Sequence, residues 1–199
     1  MTQVLFLDAC MRGPEQSRTY SLCRHFLDHL SSVQINHRDL STCQLPLFNA
    51  SYISLREQWV TSQPDHPLLL PAQEMANSDL IVVGAPYWDL SFPAALKVYL
   101  EWASVLGITF RYDPYGQQLG LSRAKALVYI TTAGGPVAGQ NYGFDYLKAI
   151  GKMFGIETCF CVAAEGLDIW GADSQSILSR AREELSRLAK QLVPETVIP

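Results

Sequence analysis

The amino-acid sequence predicts an α/β protein built on a doubly wound, five-stranded parallel sheet with helices on both faces. Three short runs, residues 4–7, 80–85 and 126–130, are apolar throughout, which is typical of strands covered on both sides. Stretches with helical periodicity lie between the strands, and this alternation favours a parallel sheet. For five strands the common order is 2-1-3-4-5, with a switch point between strands one and three.

Length and composition indicate one globular domain over residues 1–199. The chain is 48% hydrophobic and 17% charged, which excludes a disordered protein. Its net charge is −4 and it has no cluster of Lys and Arg, so nucleic acid is not an expected partner. The sequence has no run of about twenty apolar residues. We therefore expect no membrane span.

The cysteines and the N-terminal residues predict a cytoplasmic location. Five cysteines, an odd number without a Cys-x-x-Cys pair, favour reduced thiols over a disulfide framework or a zinc site. Residues 1–8 enter a strand pattern directly and lack the basic region of a signal peptide. A metal site is not expected.

The first half of the chain has a clear strand and helix, followed by a segment that is harder to interpret. The strand at residues 4–7 leads to a helix that begins near Ser17, a good N-cap residue. His25 and His29 are expected on the solvated face of this helix. Residues 33–38 alternate in polarity, as in a strand near a sheet edge. Segment 40–71 contains four prolines and one candidate helix, residues 52–60, and such long excursions are usually functional or interfacial.

The second half begins with the central strand, residues 80–85, which Pro86 ends. Ser91 is expected to cap the next helix with Pro93 in its first turn, and Gly107 to close it. An aromatic insertion over residues 108–116 ends in turn residues. The remaining predicted elements are a strand at 126–130, a helix at 144–154, a strand at 157–163 and a last helix from about residue 173.

Three unusual loops follow strands one, three and four, at residues 9–19, 86–90 and 131–136. In the predicted order the carboxyl ends of these strands are neighbours, and open α/β sheets bind ligands there. Ser17 and Thr19, at a helix N-terminus, offer hydroxyl and N–H groups to a phosphate, with Arg18 as a nearby cation. The first loop therefore predicts a phosphate site.

The other two loops suit a planar ring. Tyr87 and Trp88 supply flat apolar area, and Gly134 and Gly135 let the backbone approach a ligand closely. A phosphate joined to a planar heterocycle is a mononucleotide. On this topology FMN is the leading choice, ahead of FAD.

The same residues resemble a known family, the flavodoxin-like-fold NAD(P)H:quinone oxidoreductases and FMN-dependent NADH azoreductases. The resemblance covers nearly the whole chain in order. It rests on these motifs: Asp8-Ala-Cys10, Ser17-Arg-Thr19, Gly84-Ala-Pro-Tyr-Trp-Asp-Leu-Ser-Phe-Pro93, Gly107-Ile-Thr-Phe110, Thr131-Thr-Ala-Gly-Gly135 and Ala164-Glu-Gly166.

The resemblance implies a homodimeric flavoenzyme whose active sites lie at the subunit interface. This chain departs from the family pattern at Ala9 and Glu15, where the azoreductases have serines. Arg18 is a candidate replacement for the missing hydroxyls. The cofactor-binding residues expected from the motifs are Cys10, Ser17, Arg18, Thr19, Pro86, Tyr87, Trp88, Asp89, Leu90, Thr132, Ala133, Gly134 and Gly135.

The activity implied by the resemblance is two-electron transfer by a ping-pong mechanism. A hydride passes from NAD(P)H to FMN, the nucleotide leaves, and a flat acceptor such as a quinone, an azo compound or a nitroaromatic takes its place. No side-chain acid is required, and Tyr112 and Tyr142 are the candidate catalytic, substrate-facing residues. The sequence leaves open the choice between NADH and NADPH.

Two alternatives keep the cofactor but change the function: a non-enzymatic electron carrier of the flavodoxin type, and a regulatory flavoprotein subunit. Reduction of bound flavin by NAD(P)H alone distinguishes the enzyme from the carrier, and co-purification of a membrane partner would favour the subunit. A serine hydrolase and a nucleoside triphosphatase are excluded, because neither a Gly-x-Ser-x-Gly nor a Gly-Lys-Ser/Thr motif occurs.

Overall fold

The computed structural model describes residues 1–137 and 139–193. The predicted strands and helices are present in this part of the chain, and the structure adds a helix at Leu70–Asn77 and two short strands at Phe110–Tyr112 and Gln118–Gly120 that the sequence analysis did not predict. The strands are β1 (Thr2–Asp8), β2 (Val33–Asp39), β3 (Leu80–Gly84), β4 (Phe110–Tyr112), β5 (Gln118–Gly120), β6 (Ala126–Thr132) and β7 (Cys159–Ala164). The helices are α1 (Arg18–Asp28), α2 (Ala50–Ser62), α3 (Leu70–Asn77), α4 (Ala94–Ala103), α5 (Tyr142–Phe154) and α6 (Ser174–Leu192), with a 3₁₀ turn at Pro67–Leu69.

Five parallel strands form the main sheet in the order β2-β1-β3-β6-β7. Because β4 and β5 pair only with each other as an antiparallel hairpin, this is the predicted order 2-1-3-4-5. The register aligns Asp8 with Gly84 and Gly84 with Ile130. The carboxyl ends of β1, β3 and β6 therefore lie side by side at one edge of the sheet, with the switch point between β1 and β3.

Helices cover both faces of the sheet, which confirms the doubly wound architecture. Residues of α1 and α6, including Phe26 and Leu185, pack on one face against Phe6 and Val128. Residues of α3, α4 and α5 pack on the other face against the alternate side chains of the same strands, such as Leu5 and Leu127. Burial on both sides explains why these strands are continuously apolar.

The region between β3 and α4 differs from the prediction. Helix α4 begins at Ala94 with Pro93 as its N-cap, so the expected cap by Ser91 is wrong. Ser91 instead exchanges two backbone hydrogen bonds with Trp88, at 3.1 and 2.8 Å. Asp89 and Leu90 between them have positive φ angles of 49° and 66°, as in the type I′ turns of hairpins. The turn occupies the residues that would have formed the helix cap.

Helix α4 also ends earlier than Gly107. Its C-cap is Ser104, and the N–H of Gly107 donates to the carbonyl of Phe110 at 2.8 Å, in the loop that leads to the hairpin. The positive φ of Gly107, 85°, therefore serves a turn rather than the helix end.

Segment 40–71 folds around the C-terminal end of α4. The predicted helix over residues 52–60 lies within α2, which has no buried residues. The Trp102 indole N–H donates to the Pro46 carbonyl at 2.7 Å, and the Arg56 guanidinium donates to the carbonyls of Glu101 and Ser104. Side chains therefore connect this segment to the domain, while its role in function stays a prediction.

Within residues 1–137 and 139–193, every helix is too short or too polar to cross a lipid bilayer.

Candidate functional site

A cavity of about 220 Å³ opens at the carboxyl ends of β1, β3 and β6. All three predicted loops contribute to it, together with the loop after β7. Its lining residues are Met11, Arg12, Gln16, Ser17, Arg18, Thr19, Pro86, Tyr87, Trp88, Thr132, Gly134 and Asp168.

One end of the cavity has the donors of an anion site. Ser17 is the N-cap of α1, and its hydroxyl oxygen accepts the backbone N–H of Tyr20 at 3.1 Å, so the hydroxyl hydrogen stays available. The backbone N–H groups of Arg18 and Thr19 find no acceptor among the described residues. Free amides at the positive end of a helix dipole favour a phosphate.

Thr19 connects this anion site to the strand that carries the rest of the cavity. Its hydroxyl lies 2.6 Å from the hydroxyl of Thr132, at the end of β6, and both residues are buried. The contact fixes the first turn of α1 against β6.

A cation and a carboxylate face each other beside the anion site. The Arg18 guanidinium donates to the Asp168 carboxylate at 2.9 Å, and the two side chains are 39% and 65% exposed. This pair joins residues 150 positions apart. Because both partners are largely hydrated, the pair contributes little to folding stability.

Pro86, Tyr87 and Trp88 form the other end of the cavity. The Tyr87 N–H donates to the Thr132 carbonyl at 3.0 Å and the Trp88 N–H donates within its tight turn, so these amides are already used. The N–H groups of Gly134 and Gly135 have no acceptor in the part of the chain that the structure describes. They are the free donors on this side of the site.

Gly134 has a structural reason to lack a side chain. A Cβ at this position would lie 2.5 Å from a carboxylate oxygen of Asp168, whereas a Cβ at Gly135 would meet nothing within 4 Å. We expected a ligand to approach the backbone closely at Gly134. In the structure the Asp168 side chain occupies this space.

A second, larger cavity of about 710 Å³ adjoins the first and shares Trp88 with it. Tyr142, which is 54% exposed, lies on its wall. Tyr112 lies on the hairpin, is 57% exposed and lines neither cavity. The other residues of the second cavity are Asp89, Ser91, Phe92, Pro93, Ala94, Lys97 and Tyr146.

The structure brings together most of the residues predicted to bind the cofactor. Eight of them line the first cavity: Ser17, Arg18, Thr19, Pro86, Tyr87, Trp88, Thr132 and Gly134. Asp89 lines the second cavity and Leu90 is exposed in the adjoining turn. Cys10 and Ala133 are buried, Gly135 is exposed, and none of these three residues lines either cavity.

Cys10 belongs to the support of the first loop rather than to its surface. Its N–H donates to the Asp8 carboxylate at 2.9 Å and its thiol contacts the Gly84 carbonyl at 3.6 Å. The five cysteines are free thiols. Burial raises the pKa of the neighbouring Cys23 thiol well above its ordinary value, so that thiol stays protonated.

Four lining residues were not predicted: Met11, Arg12, Gln16 and Asp168. The first three lie in the loop already assigned to the phosphate. The sequence did not show which side chains of that loop face the cavity. The Ala164-Glu-Gly166 motif at the end of the fifth strand was the available signal for Asp168.

The fold and this site together define an α/β protein of the doubly wound class, with free anion donors and an aromatic loop lining one cavity at the switch point. A protein-family model described as "Flavodoxin-like fold" matches residues 2–189. The chain belongs to this flavodoxin-like family.

Curated relatives match nearly the whole chain. A protein of Coprothermobacter proteolyticus named FMN-dependent NADH:quinone oxidoreductase is 32% identical, over 96% of this chain and 100% of the relative. A protein of the same name from Clostridium beijerinckii is 33% identical, over 96% of this chain and 99% of the relative.

Solved structures show the same fold. An FMN-dependent NADH-azoreductase of Bacillus anthracis in complex with FMN superposes with a TM-score of 0.84 at 21% identity, covering 97% of this chain and 100% of that one. Another B. anthracis azoreductase gives a TM-score of 0.82 at 24% identity, covering 96% and 100%.

Proposed function

We propose that this protein is an FMN-dependent NADH:quinone oxidoreductase that passes two electrons, by a ping-pong mechanism, to a flat acceptor. One observation carries the proposal: phosphate donors at the N-terminus of α1 and the aromatic loop after β3 line a single cavity at the switch point. The names of relatives 32% and 33% identical support the choice of FMN, NADH and quinone.

The donor set fits the phosphate of FMN. The free N–H groups of Arg18 and Thr19, the Ser17 hydroxyl and the Arg18 guanidinium converge at one end of the cavity. They replace hydroxyls that Ala9 and Glu15 do not provide. Charge-assisted hydrogen bonds of this kind are stronger than those between neutral groups.

The loops after β3 and β6 are assigned to the isoalloxazine ring. When bound, FMN supplies the redox chemistry: it accepts a hydride from NADH and gives two electrons to the acceptor. The N–H groups of Gly134 and Gly135 are the donors that we assign to the polar edge of the ring, where negative charge collects on reduction. Pro86, Tyr87 and Trp88 orient the ring and exclude water from it.

The second cavity suits the nicotinamide and the acceptor in turn. It begins at Trp88, is lined by aromatic side chains, and has a volume of about 710 Å³. A flat quinone or azo compound requires only such an apolar space beside the ring. Tyr142 on its wall is the candidate substrate-facing residue, and use of one space by both substrates is the reason for the ping-pong order.

Assembly of two copies is part of the same proposal. Trp88, Leu90 and Tyr142 expose 39%, 46% and 54% of their surfaces around the second cavity, and a second subunit would cover them. Tyr112, on the hairpin outside both cavities, is then a candidate contribution to the partner's site. The mass of the FMN-loaded protein in sedimentation equilibrium tests this assembly. A cytoplasmic location also stays a prediction.

Reconstitution with FMN tests the proposed function directly. We expect one FMN per chain, bleaching of the flavin absorbance on anaerobic addition of NADH, and steady-state quinone reduction with parallel double-reciprocal plots. A Ser17→Gly variant removes the hydroxyl assigned to the phosphate and should weaken FMN binding about tenfold, while glycine is tolerated as an N-cap. An Asn49→Gly variant, at the exposed N-cap of α2 outside the cavity, is the matched control and should bind FMN normally.

Two results would contradict the proposal. Failure to bind FMN after reconstitution would remove its basis. Bound FMN that stays oxidised with both NADH and NADPH would instead favour the non-enzymatic electron carrier.

A further inference from the structure

Asp168 lies between the two halves of the first cavity. One carboxylate oxygen accepts from Arg18 at 2.9 Å, and the other lies where a Cβ of residue 134 would come within 2.5 Å. A negative charge therefore faces a site whose other features favour an anion.

The backbone holds Asp168 in this place. The N–H groups of Gly166, Leu167 and Asp168 donate to the carbonyls of Gly135, Ala133 and Gly134 at 3.1, 3.1 and 3.0 Å. Gly166 has a φ of 74°, which glycine adopts without strain. The loop after β7 is thus fastened to the loop after β6, and the carboxylate is presented from a fixed position.

A phosphate at the N-terminus of α1 would meet both members of the ion pair. It competes with Asp168 for the Arg18 guanidinium, and its two negative charges are repelled by the carboxylate. The opposite effect, ordering of Arg18 by Asp168, is small because an ion pair with partners 39% and 65% exposed contributes little. Repulsion acting on a dianion is the larger effect.

We propose that Asp168 sets the charge selectivity of the cofactor cavity by holding Arg18 in competition with the cofactor's phosphate, so that it limits affinity for FMN and leaves affinity for an uncharged flavin unchanged. The inference rests on the proposed function, since it concerns the same site. Its benefit to the protein is that Arg18 stays paired in the absence of cofactor, which discourages other anions.

Comparing the dissociation constants of FMN and riboflavin separates the contribution of the phosphate from that of the ring, because riboflavin has the ring without the phosphate. In the Asp168→Asn variant we expect the dissociation constant for FMN to fall about three- to tenfold. The constant for riboflavin should stay as in the parent protein. Asp28→Asn is the matched control, because Asp28 forms a similar exposed pair with Arg24 at the other end of α1, at 2.8 Å; both constants should stay unchanged.

The salt dependence gives a second readout. The gain in FMN affinity from Asp168→Asn should shrink as ionic strength rises, since hydrated charges are screened. The amide introduced by Asp168→Asn could form new hydrogen bonds of its own. An Asp168→Ser variant is therefore measured as well, because it also removes the carboxylate that pairs with Arg18.

The inference is overturned if both variants leave the ratio of the FMN and riboflavin constants unchanged, or shift it against FMN. The latter result would make Asp168 a positioning residue for Arg18. Failure of the proposed function looks different, because the parent protein would then either bind neither flavin or hold FMN that NADH and NADPH leave oxidised.

Discussion

At the scale of single residues, Asp89 and Leu90 have an unfavourable backbone conformation in the turn that carries Trp88. Both have positive φ, which costs non-glycine residues on the order of 1 kcal/mol each. The two hydrogen bonds between Trp88 and Ser91 hold the turn and place Trp88 on the wall of both cavities. Strain retained at this position supports a functional reason for the turn.

Gly120 makes the tightest backbone contact in the hairpin. A Cβ there would lie 2.0 Å from the backbone nitrogen of Gly155 and 2.1 Å from the carbonyl carbon of Phe154. Because backbone atoms at a helix end cannot move aside cheaply, we expect Gly120→Ala to lower the free energy of unfolding by about 2–3 kcal/mol, measured by denaturant titration. Gly135→Ala, with no atom within 4 Å, should unfold as the parent does. Equal stability of the two variants would contradict this prediction.

At the scale of elements, α1 shows both the success and the limit of sequence reasoning. Its start at Ser17 was predicted from N-cap chemistry and is confirmed, because the cap hydrogen bond is local. The expected solvated face at His25 is wrong: His25 Nε2 lies 3.1 Å from the Arg182 carbonyl and 2.8 Å from the Ser186 hydroxyl of α6. Helical periodicity identifies the apolar face of a helix but not the neighbour beside its polar face.

The contact between α1 and α6 should make stability depend on pH. The pKa of His25 is lowered, chiefly by burial and next by the charge of His29. The hydrogen bond to the Arg182 carbonyl and the charge of Asp28 raise this pKa, while the charge of Arg182 lowers it, and the lowering effects prevail. A histidine with a lowered folded-state pKa binds protons more readily when unfolded. Stability should therefore fall as pH drops through the unfolded value of about 6.5.

Denaturant unfolding at about pH 8 and about pH 5 measures this effect. The His25→Gln variant should lose less stability between the two values than the parent protein loses. His66→Gln is the control, because His66 lies against Trp59 outside the α1–α6 contact, and it should keep the parental difference. An unchanged difference in His25→Gln would exclude His25 as the source.

At the scale of the whole molecule, the site is composed of loops that only the fold brings together. The sheet order and the loops after β1, β3 and β6 could be predicted, because apolar runs identify the strands and parallel topology aligns their ends. The Arg18–Asp168 pair could not, because it spans 150 positions and depends on the backbone path after β7. The same holds for the turn at Asp89 and Leu90, whose side chains do not indicate positive φ.

Binding at such a site should stabilise the whole domain. Free FMN at one hundred times its dissociation constant adds about 2.7 kcal/mol to the free energy of unfolding. In a domain of this size that raises Tm by about 5–10 °C, measured by thermal unfolding at increasing FMN concentrations. Lumichrome, a flat ring without the ribityl phosphate, is the control and should give a smaller shift. A Tm independent of FMN would contradict the prediction.

The three backbone hydrogen bonds between the loops after β6 and β7 couple the local opening of these two loops. Gly166, Leu167 and Asp168 all donate across the gap, so neither loop can unfold locally while the other keeps its structure. The two loops therefore form one cooperative unit, and hydrogen exchange at their amides should report a single opening free energy.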